Sequence, residues 1–230
     1  MIEVRDLRKS FGPNLVLDGV SFRIQKGESV VIVGRSGGGK SVLLKHLIGL
    51  LKPDAGEVLI ENDNIVPMNE RQLLPVRRKF GMLFQSAALF DSMTVAEMLE
   101  MVDLPGTQSK NPSELSGGMR KRVGLARAII YNPEIVLYDE PTTGLDPIVS
   151  DSIDHLILRV RDRLRVTTVV VTHDLRTARR LGQRILMLHA RKIYATGTAD
   201  EIFESQDPVL RQFIDGISDE KAMTMKPGSL

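Results

Sequence analysis

The residues best able to do chemistry in this 230-residue chain are crowded into Gly34-Arg35-Ser36-Gly37-Gly38-Gly39-Lys40-Ser41. The stretch satisfies G-x-x-x-x-G-K-[ST], a pattern whose glycines let successive backbone N–H groups converge on phosphate oxygens. A helix opening at its end adds partial positive charge where those phosphates would sit. Lys40 would reach the β- and γ-phosphates of a nucleoside triphosphate, and the Ser41 hydroxyl would ligate Mg²⁺. The competing reading is a glycine turn that happens to precede a Lys-Ser pair, and the flanking residues disfavour it.

Three more places carry polar groups where packing alone does not call for them. Ile135-Val136-Leu137-Tyr138 runs directly into Asp139-Glu140, the form of a buried strand delivering carboxylates to the C-terminal edge of a sheet. Asp139 would hold Mg²⁺ through water and Glu140 would polarise an attacking water, against the plainer reading of a strand ending in solvated acids. Of the four His, only His173 sits at a strand end, where a neutral imidazole could hydrogen-bond a γ-phosphate. Gln85 also ends a strand, and its carboxamide is read either as a ligand for Mg²⁺ or the attacking water or as a solvated loop residue. Ser116-Gly117-Gly118 opens a helix with free N–H groups and no bulky Cβ, a second phosphate-ready terminus.

The elements that must position these groups are legible as alternating periods. Glu28 to Val33 is rich in β-branched residues and reads as a buried strand entering the glycine loop. Val42, Leu43, Leu44, Leu47, Ile48 and Leu51 recur at helical spacing as far as Lys52-Pro53. Residues 2–28 read as strands broken by the turn Phe11-Gly12-Pro13-Asn14, residues 57–60 as a strand, and 68–79 as a polar helix interrupted at Pro75. Phe11 could stack on a base, but as one of seven Phe it is more simply a core residue. Phe80 to Phe84 is a strand, 91–104 looks helical, and a helix with Val123, Leu125, Ala126 and Ala128 follows the Ser-Gly-Gly. Gly144-Leu145-Asp146-Pro147 turns into a helix with Ile153, Leu156, Ile157 and Val160 on one face. Thr167 to Val171 is another core strand, further strands follow at 184–188 and 192–195, and residues 218–230 are patternless and expected to be mobile.

Composition removes several classes of function. Thirty-one Lys and Arg against 29 Asp and Glu leave a formal charge of +2, which makes no case for nucleic acid or for an anionic membrane surface. Cys is absent, so disulfides, thiolate metal sites and Cys nucleophiles are excluded and a reducing compartment fits. No apolar run approaches a membrane span and Met1-Ile2-Glu3-Val4-Arg5 lacks a signal-peptide core, so the expectation is a cytosolic protein whose membrane link comes through a partner.

Taken in order, residues 34–41, Gln85, 115–119, 135–140, 144–146 and His173 resemble the Walker A, Q-loop, signature, Walker B, D-loop and H-switch of an ABC-type ATPase. The likeness covers Ile2 to about Gly216. It implies an α/β fold with a P-loop NTPase core, an antiparallel β-subdomain and a helical signature subdomain, within one ATPase domain over 1–217 and a tail over 218–230. It also implies a homodimer that sandwiches two ATP molecules, each between Walker A of one chain and Ser116–Gly118 of the other. Phe11 becomes the adenine-stacking residue, in a position usually held by Tyr, and Asp146 joins the nucleotide site.

A narrower likeness lies in residues 83–95, 112–119 and 207–213, which look like the ATPase subunit of Mla/Mce-type lipid transporters. That family moves phospholipids or related hydrophobic solutes with an integral-membrane permease and an MCE-domain substrate-binding protein, its ATPase peripheral on the cytoplasmic face of the inner membrane. The interval between Gln85 and Ser116 is shorter than the family's usual one, which implies a shortened helical subdomain over about 86–130. A soluble ABC ATPase uncoupled from transport is the alternative. It fits less well, because such proteins carry a long coiled coil or two ATPase domains in one chain.

Overall fold

The computed structural model describes residues 1–83, 110–129 and 132–217. Gln85, the helix expected over 91–104 and the tail 218–230 lie outside them. The described chain begins with β1 (Ile2–Phe11), β2 (Asn14–Ile24) and β3 (Ser29–Val33), then α1 (Lys40–Leu47), β4 (Ala55–Ile60), β5 (Asp63–Asn64), α2 (Glu70–Arg77) and β6 (Phe80–Leu83). It continues with α3 (Gly117–Ile129), β7 (Ile135–Asp139), α4 (Pro147–Leu164), β8 (Thr167–Thr172) and α5 (Leu175–Leu181). It closes with β9 (Arg184–His189), β10 (Lys192–Gly197), α6 (Ala199–Phe203) and α7 (Pro208–Ile214).

The strands form two sheets, one antiparallel in the order β2-β1-β4-β5 and one in the order β10-β9-β3-β8-β7-β6. In the larger sheet every pairing from β9 to β6 is parallel, and only β10 runs antiparallel. A parallel sheet covered on both faces needs strands that are apolar throughout, which is why Val30–Val33, Ile135–Tyr138 and Val169–Val171 are unbroken. Their side chains nonetheless divide by parity. Val30, Ile32, Ile135, Leu137, Val169 and Val171 face Leu43, Leu44 and Leu47 of α1 and the smaller sheet. Val31, Val33, Val136, Tyr138 and Val170 face Leu125 of α3, Ile153 and Ile157 of α4, and Leu181 of α5. The fold is therefore sheet, sheet and helices in three layers, with two apolar cores sharing the central sheet.

Register sets the functional edge. Val33 pairs with Thr172 and Asp139 with Val171, so the chain leaves β3, β7 and β8 at one level of the sheet. The glycine loop, Glu140 and His173 all emerge there, at the C-terminal ends of adjacent parallel strands.

Two readings of the sequence need correction. The apolar stripe through Leu51 predicts a helix to Lys52-Pro53, but α1 stops at Leu47. Gly49 takes φ +66, and the N–H groups of Leu50 and Leu51 both turn back to Lys45 O, at 2.9 and 3.3 Å. The left-handed backbone of Gly49 turns the chain out of the helix, and a Cβ there would also meet the Leu73 side chain of α2 at 2.9 Å. Pro75, expected to interrupt its helix, instead lies within α2. That helix opens on a capping box between Asn69 and Gln72, and Arg77 pins its other end to Ile48 O and Gly49 O at 3.2 and 2.9 Å.

Gly81 lets β6 lie flush against α3: a Cβ there would fall 2.0 Å from Ala128 O. Gly81→Ala is expected to destabilise the protein by about 1–3 kcal/mol, since neither backbone can give way cheaply. Differential scanning calorimetry should show a melting temperature lower by several degrees, at about 2–4 °C per kcal/mol for a chain of this size.

Candidate active site

The glycine loop is held closed by its own lysine. Lys40 is only 5% exposed, and its ammonium donates to Gly34 O at 2.8 Å and Arg35 O at 3.1 Å. It also lies 3.4 Å from Glu140 Oε1. Two glycines are obligatory for this shape: Gly39, the residue before α1, has φ +96, and a Cβ on Gly34 would sit 2.5 Å from Leu188 O on β9. Ser41, in the first turn of α1, donates its hydroxyl to Asp139 Oδ1 at 2.7 Å.

Glu140 is the most heavily coordinated carboxylate among the described residues of the site. One oxygen, Oε2, accepts from Thr143 Oγ1 at 3.0 Å, Thr172 Oγ1 at 3.2 Å and His173 N at 3.4 Å. The same oxygen lies 3.0 Å from His173 Nδ1. Its backbone takes φ +49, left-handed for a side-chain-bearing residue, and is tied by Glu140 N to Val171 O at 2.9 Å and by Lys121 Nζ to Glu140 O at 3.2 Å. Strain of this kind persists only where the surroundings over-determine it, and it concentrates at functional positions.

Electrostatics separate the two adjacent acids. Burial pushes the Glu140 carboxyl up, but the hydrogen bond from His173 and the charge of Lys40 outweigh it and hold the group below the usual Glu range. Burial also pushes Asp139 up. There the Ser41 hydrogen bond opposes it incompletely and the neighbouring Glu140 charge reinforces it, so Asp139 stays above the usual Asp range. Neighbouring acids driven apart in this way can take different roles.

Phe11 and Val16 form one wall of a cleft of about 360 Å³, with Ser36, Gly37 and Gly39–Ser41 beneath and Glu140, Thr143 and His173 opposite. Phe11 is 47% exposed and outside both cores, and Lys9 Nζ lies 5.4 Å from its ring centre. Its ring is therefore placed to stack rather than to pack. A divalent ion fits beside Ser41 and Asp139, whose two hard oxygens already lie within hydrogen-bond reach. Mg²⁺ suits such a site because it takes few protein ligands and completes its shell from phosphate oxygens and water. No group of three or more His, Cys, Asp or Glu among the described residues could hold a metal by itself.

Ser116, Gly117, Gly118 and Asp146 do not line this cleft. Ser116 is exposed and accepts from Met119 N at 3.2 Å, while Gly118 lies so close to α4 that a Cβ would meet Val149 Cγ1 at 2.6 Å. The Asp146 carboxylate caps α4, accepting from Ile148 N and Val149 N at 3.0 Å each. Arg35 contributes its carbonyl to the Lys40 clamp. Thr143, Thr172 and Lys121 were not singled out from the sequence. Of these only Thr143 had a local signal, its position three residues after Glu140 in a Pro-Thr-Thr-Gly turn.

A family profile described as ABC transporter matches residues 17–143. Over 238 residues the chain is 39% identical to the probable ribonucleotide transport ATP-binding protein mkl of Mycobacterium leprae (strain TN), covering 94% of this chain and 69% of that protein. It is 37% identical over 242 residues to the intermembrane phospholipid transport system ATP-binding protein MlaF of Escherichia coli (strain K12), covering 95% of this chain and 90% of that one. Both alignments are longer than the chain itself, so these relatives carry residues that have no counterpart here. The dimeric structure of MJ0796, a bacterial ABC transporter cassette, superposes with a TM-score of 0.79 at 31% identity, covering 86% of this chain and 99% of that one. A post-hydrolysis state of the same cassette, bound to ADP and Pi, superposes with a TM-score of 0.78. The chain belongs to the ABC transporter family, as an ATP-binding and ATP-hydrolysing subunit.

Proposed function

We propose that this ATPase powers the movement of phospholipid, or a related hydrophobic solute, through a partner permease. The observation that carries the hydrolytic part is Glu140, an ionised carboxylate aimed by Thr143, Thr172 and His173 and set beside the Lys40 ammonium. The loop N–H groups and Lys40 bind the β- and γ-phosphates, Lys40 exchanging its bonds to Gly34 O and Arg35 O for phosphate oxygens. Ser41 and Asp139, with Gln85, would hold Mg²⁺, which would supply positive charge against the charge developing on the phosphates. Glu140 orients the attacking water and takes its proton. His173 donates Nδ1–H to Glu140, and a neutral ring in that tautomer has no proton on Nε2. Donation to a γ-phosphate therefore requires the ring to release Glu140 or to take a second proton.

Two copies close the site head to tail. Ser116, Gly117 and Gly118 lie off their own chain's cleft at the start of the 13-residue α3, which leaves them free to meet a γ-phosphate bound by a second copy. Asp146 enters the same interface, and Phe11 stacks on adenine. The whole of 1–217 serves as one ATPase domain, with its shortened helical subdomain over about 86–130 receiving the permease. No helix among the described residues is long and apolar enough to cross a membrane. In this reading the protein works in the cytoplasm, held on the inner membrane through the permease, with an MCE-domain protein delivering substrate.

The relatives are named for different cargoes, ribonucleotide for mkl and phospholipid for MlaF. Reconstitution with the permease in proteoliposomes separates them. Fluorescent phospholipid should transfer to acceptor vesicles only with MgATP, while labelled ribonucleotide should not move. The reverse outcome would falsify the lipid reading.

Glu140→Gln should retain MgATP binding and lose about 10²–10⁴-fold in turnover, because the amide keeps the shape of the site but cannot accept the proton. Size-exclusion chromatography with ATP should then show a trapped dimer. Ser116→Arg should leave ATP binding intact in calorimetry yet make the residual hydrolysis slow and independent of protein concentration. Unchanged turnover in that variant would make the Ser-Gly-Gly a mere helix opening.

A further inference from the structure

Beside the nucleotide cleft, three buried polar side chains, Thr142, Thr177 and Asp154, line a second cavity of about 550 Å³ that shares Thr143 and His173 with the cleft. Thr177 Oγ1 lies 3.2 and 3.1 Å from the two Asp154 oxygens and 3.2 Å from Thr142 Oγ1. An ionised carboxylate can only accept, so Thr177 donates to Asp154 and keeps its oxygen free to accept from Thr142. The chain of bonds thus has one direction, from Thr142 to Thr177 to Asp154.

We propose that Asp154, acting through Thr177 and Thr142, is a positioning residue for ATP hydrolysis that sets the spacing between the turn carrying Glu140 and the turn carrying His173. The inference rests on the roles given above to those two residues. Each member of the relay belongs to a different piece of the site. Thr142 stands between Glu140 and Thr143, whose hydroxyl donates to Glu140 Oε2 at 3.0 Å. Thr177 is in the first turn of α5, and the cap of that helix, Asp174, directly follows His173. Asp174 N in turn donates to Thr172 Oγ1 at 3.0 Å, and that hydroxyl donates to Glu140 at 3.2 Å. Asp154 lies in α4, the helix capped by Asp146. One buried carboxylate therefore anchors both turns to the helix behind them, and fully satisfied buried networks of this kind fix a single arrangement.

Burial pushes the Asp154 carboxyl up to about 6; the Thr177 hydrogen bond and the Arg180 charge relieve this only in part, and Asp174 and Asp151 add to it. Arg180 Nη1 stands 3.9 Å from Asp154 Oδ2 and is bonded to Asp151 as well. A carboxyl raised above its ordinary 3.8 holds its proton more tightly folded than unfolded. The stability that this proton adds is therefore lost as pH rises from that value through about 6, and at neutral pH the fold holds the ionised carboxylate less favourably than the protonated one. The shared anchoring of the two turns by the Thr142–Thr177–Asp154 bonds is what points to function.

Steady-state ATP hydrolysis by the full chain with MgATP tests this, alongside thermal melts at pH 7. Thr177→Val keeps the shape and removes the relay, and should lower kcat by about tenfold or more while KM for MgATP stays within about twofold. Thr177→Ser restores the hydroxyl and should recover most of the lost rate. Asp154→Asn should also be slower, but at least as heat-stable as the parent. The relay is overturned if Thr177→Val matches a hydrolysing parent in kcat. It is also overturned if the loss of kcat comes with a raised KM and a lower melting temperature that Thr177→Ser fails to restore, as for simple scaffolding. A parent chain with no MgATP turnover would instead overturn the reading of Glu140, and the relay with it.

Discussion

The ion pair between Lys40 and Glu140 joins the two halves of the chemistry. One partner comes from the loop after β3 and the other from the end of β7, and both are almost wholly withdrawn from water. A buried ion pair is poor support for a fold, because desolvation offsets most of its attraction. What it provides here is poise. The ammonium is held against two loop carbonyls and a carboxylate, each of which a phosphate oxygen can replace, and the Glu140 carboxyl is held below the usual Glu range although burial pushes it up.

That pair can exist only because the central sheet delivers its strand ends together. Parallel pairing of β3, β8 and β7 in the observed register brings the glycine loop, His173 and Glu140 to one rim, and two-sided burial makes the register costly to shift. A slip of one residue would exchange the two cores and carry Asp139 and Glu140 away from Ser41 and Lys40. The polar residues at the strand ends are tolerated because each is bonded: Asp139 to Ser41, Glu140 to two threonines and His173, and Thr172 to Asp174.

The helix that follows Ser116 is linked to the same carboxylate from behind. Lys121, buried in α3, donates to the Glu140 carbonyl at 3.2 Å, and burial holds its amine below the usual Lys range. Gly118 allows α3 to touch Val149 of α4. Movement of α3 therefore bears on the strained backbone of Glu140, which ties the helix opened by Ser116 to the carboxylate proposed as base.

The chemistry-bearing stretches were legible because each is contiguous and its cause is local. Gly34 to Ser41 needs glycine where the backbone must curl, and Asp139-Glu140 and His173 announce themselves as polar residues at the ends of apolar runs. The alternation of the central strands likewise follows from period two and two-sided burial. Tertiary structure alone decided what depends on residues distant in sequence. α1 ends at Leu47 despite its continuing apolar stripe, where Leu73 packs on Gly49 and Arg77 bonds Ile48 O and Gly49 O, and α2 runs on through Pro75. Thr143, Thr172 and Lys121 converge on Glu140 from three elements, and Thr142, Thr177 and Asp154 join only once α4 and α5 pack. Threonine and lysine are common at exposed positions, so nothing in their type or spacing marks them; only burial, which the folded chain creates, turns their hydroxyls and amine into obligatory partners.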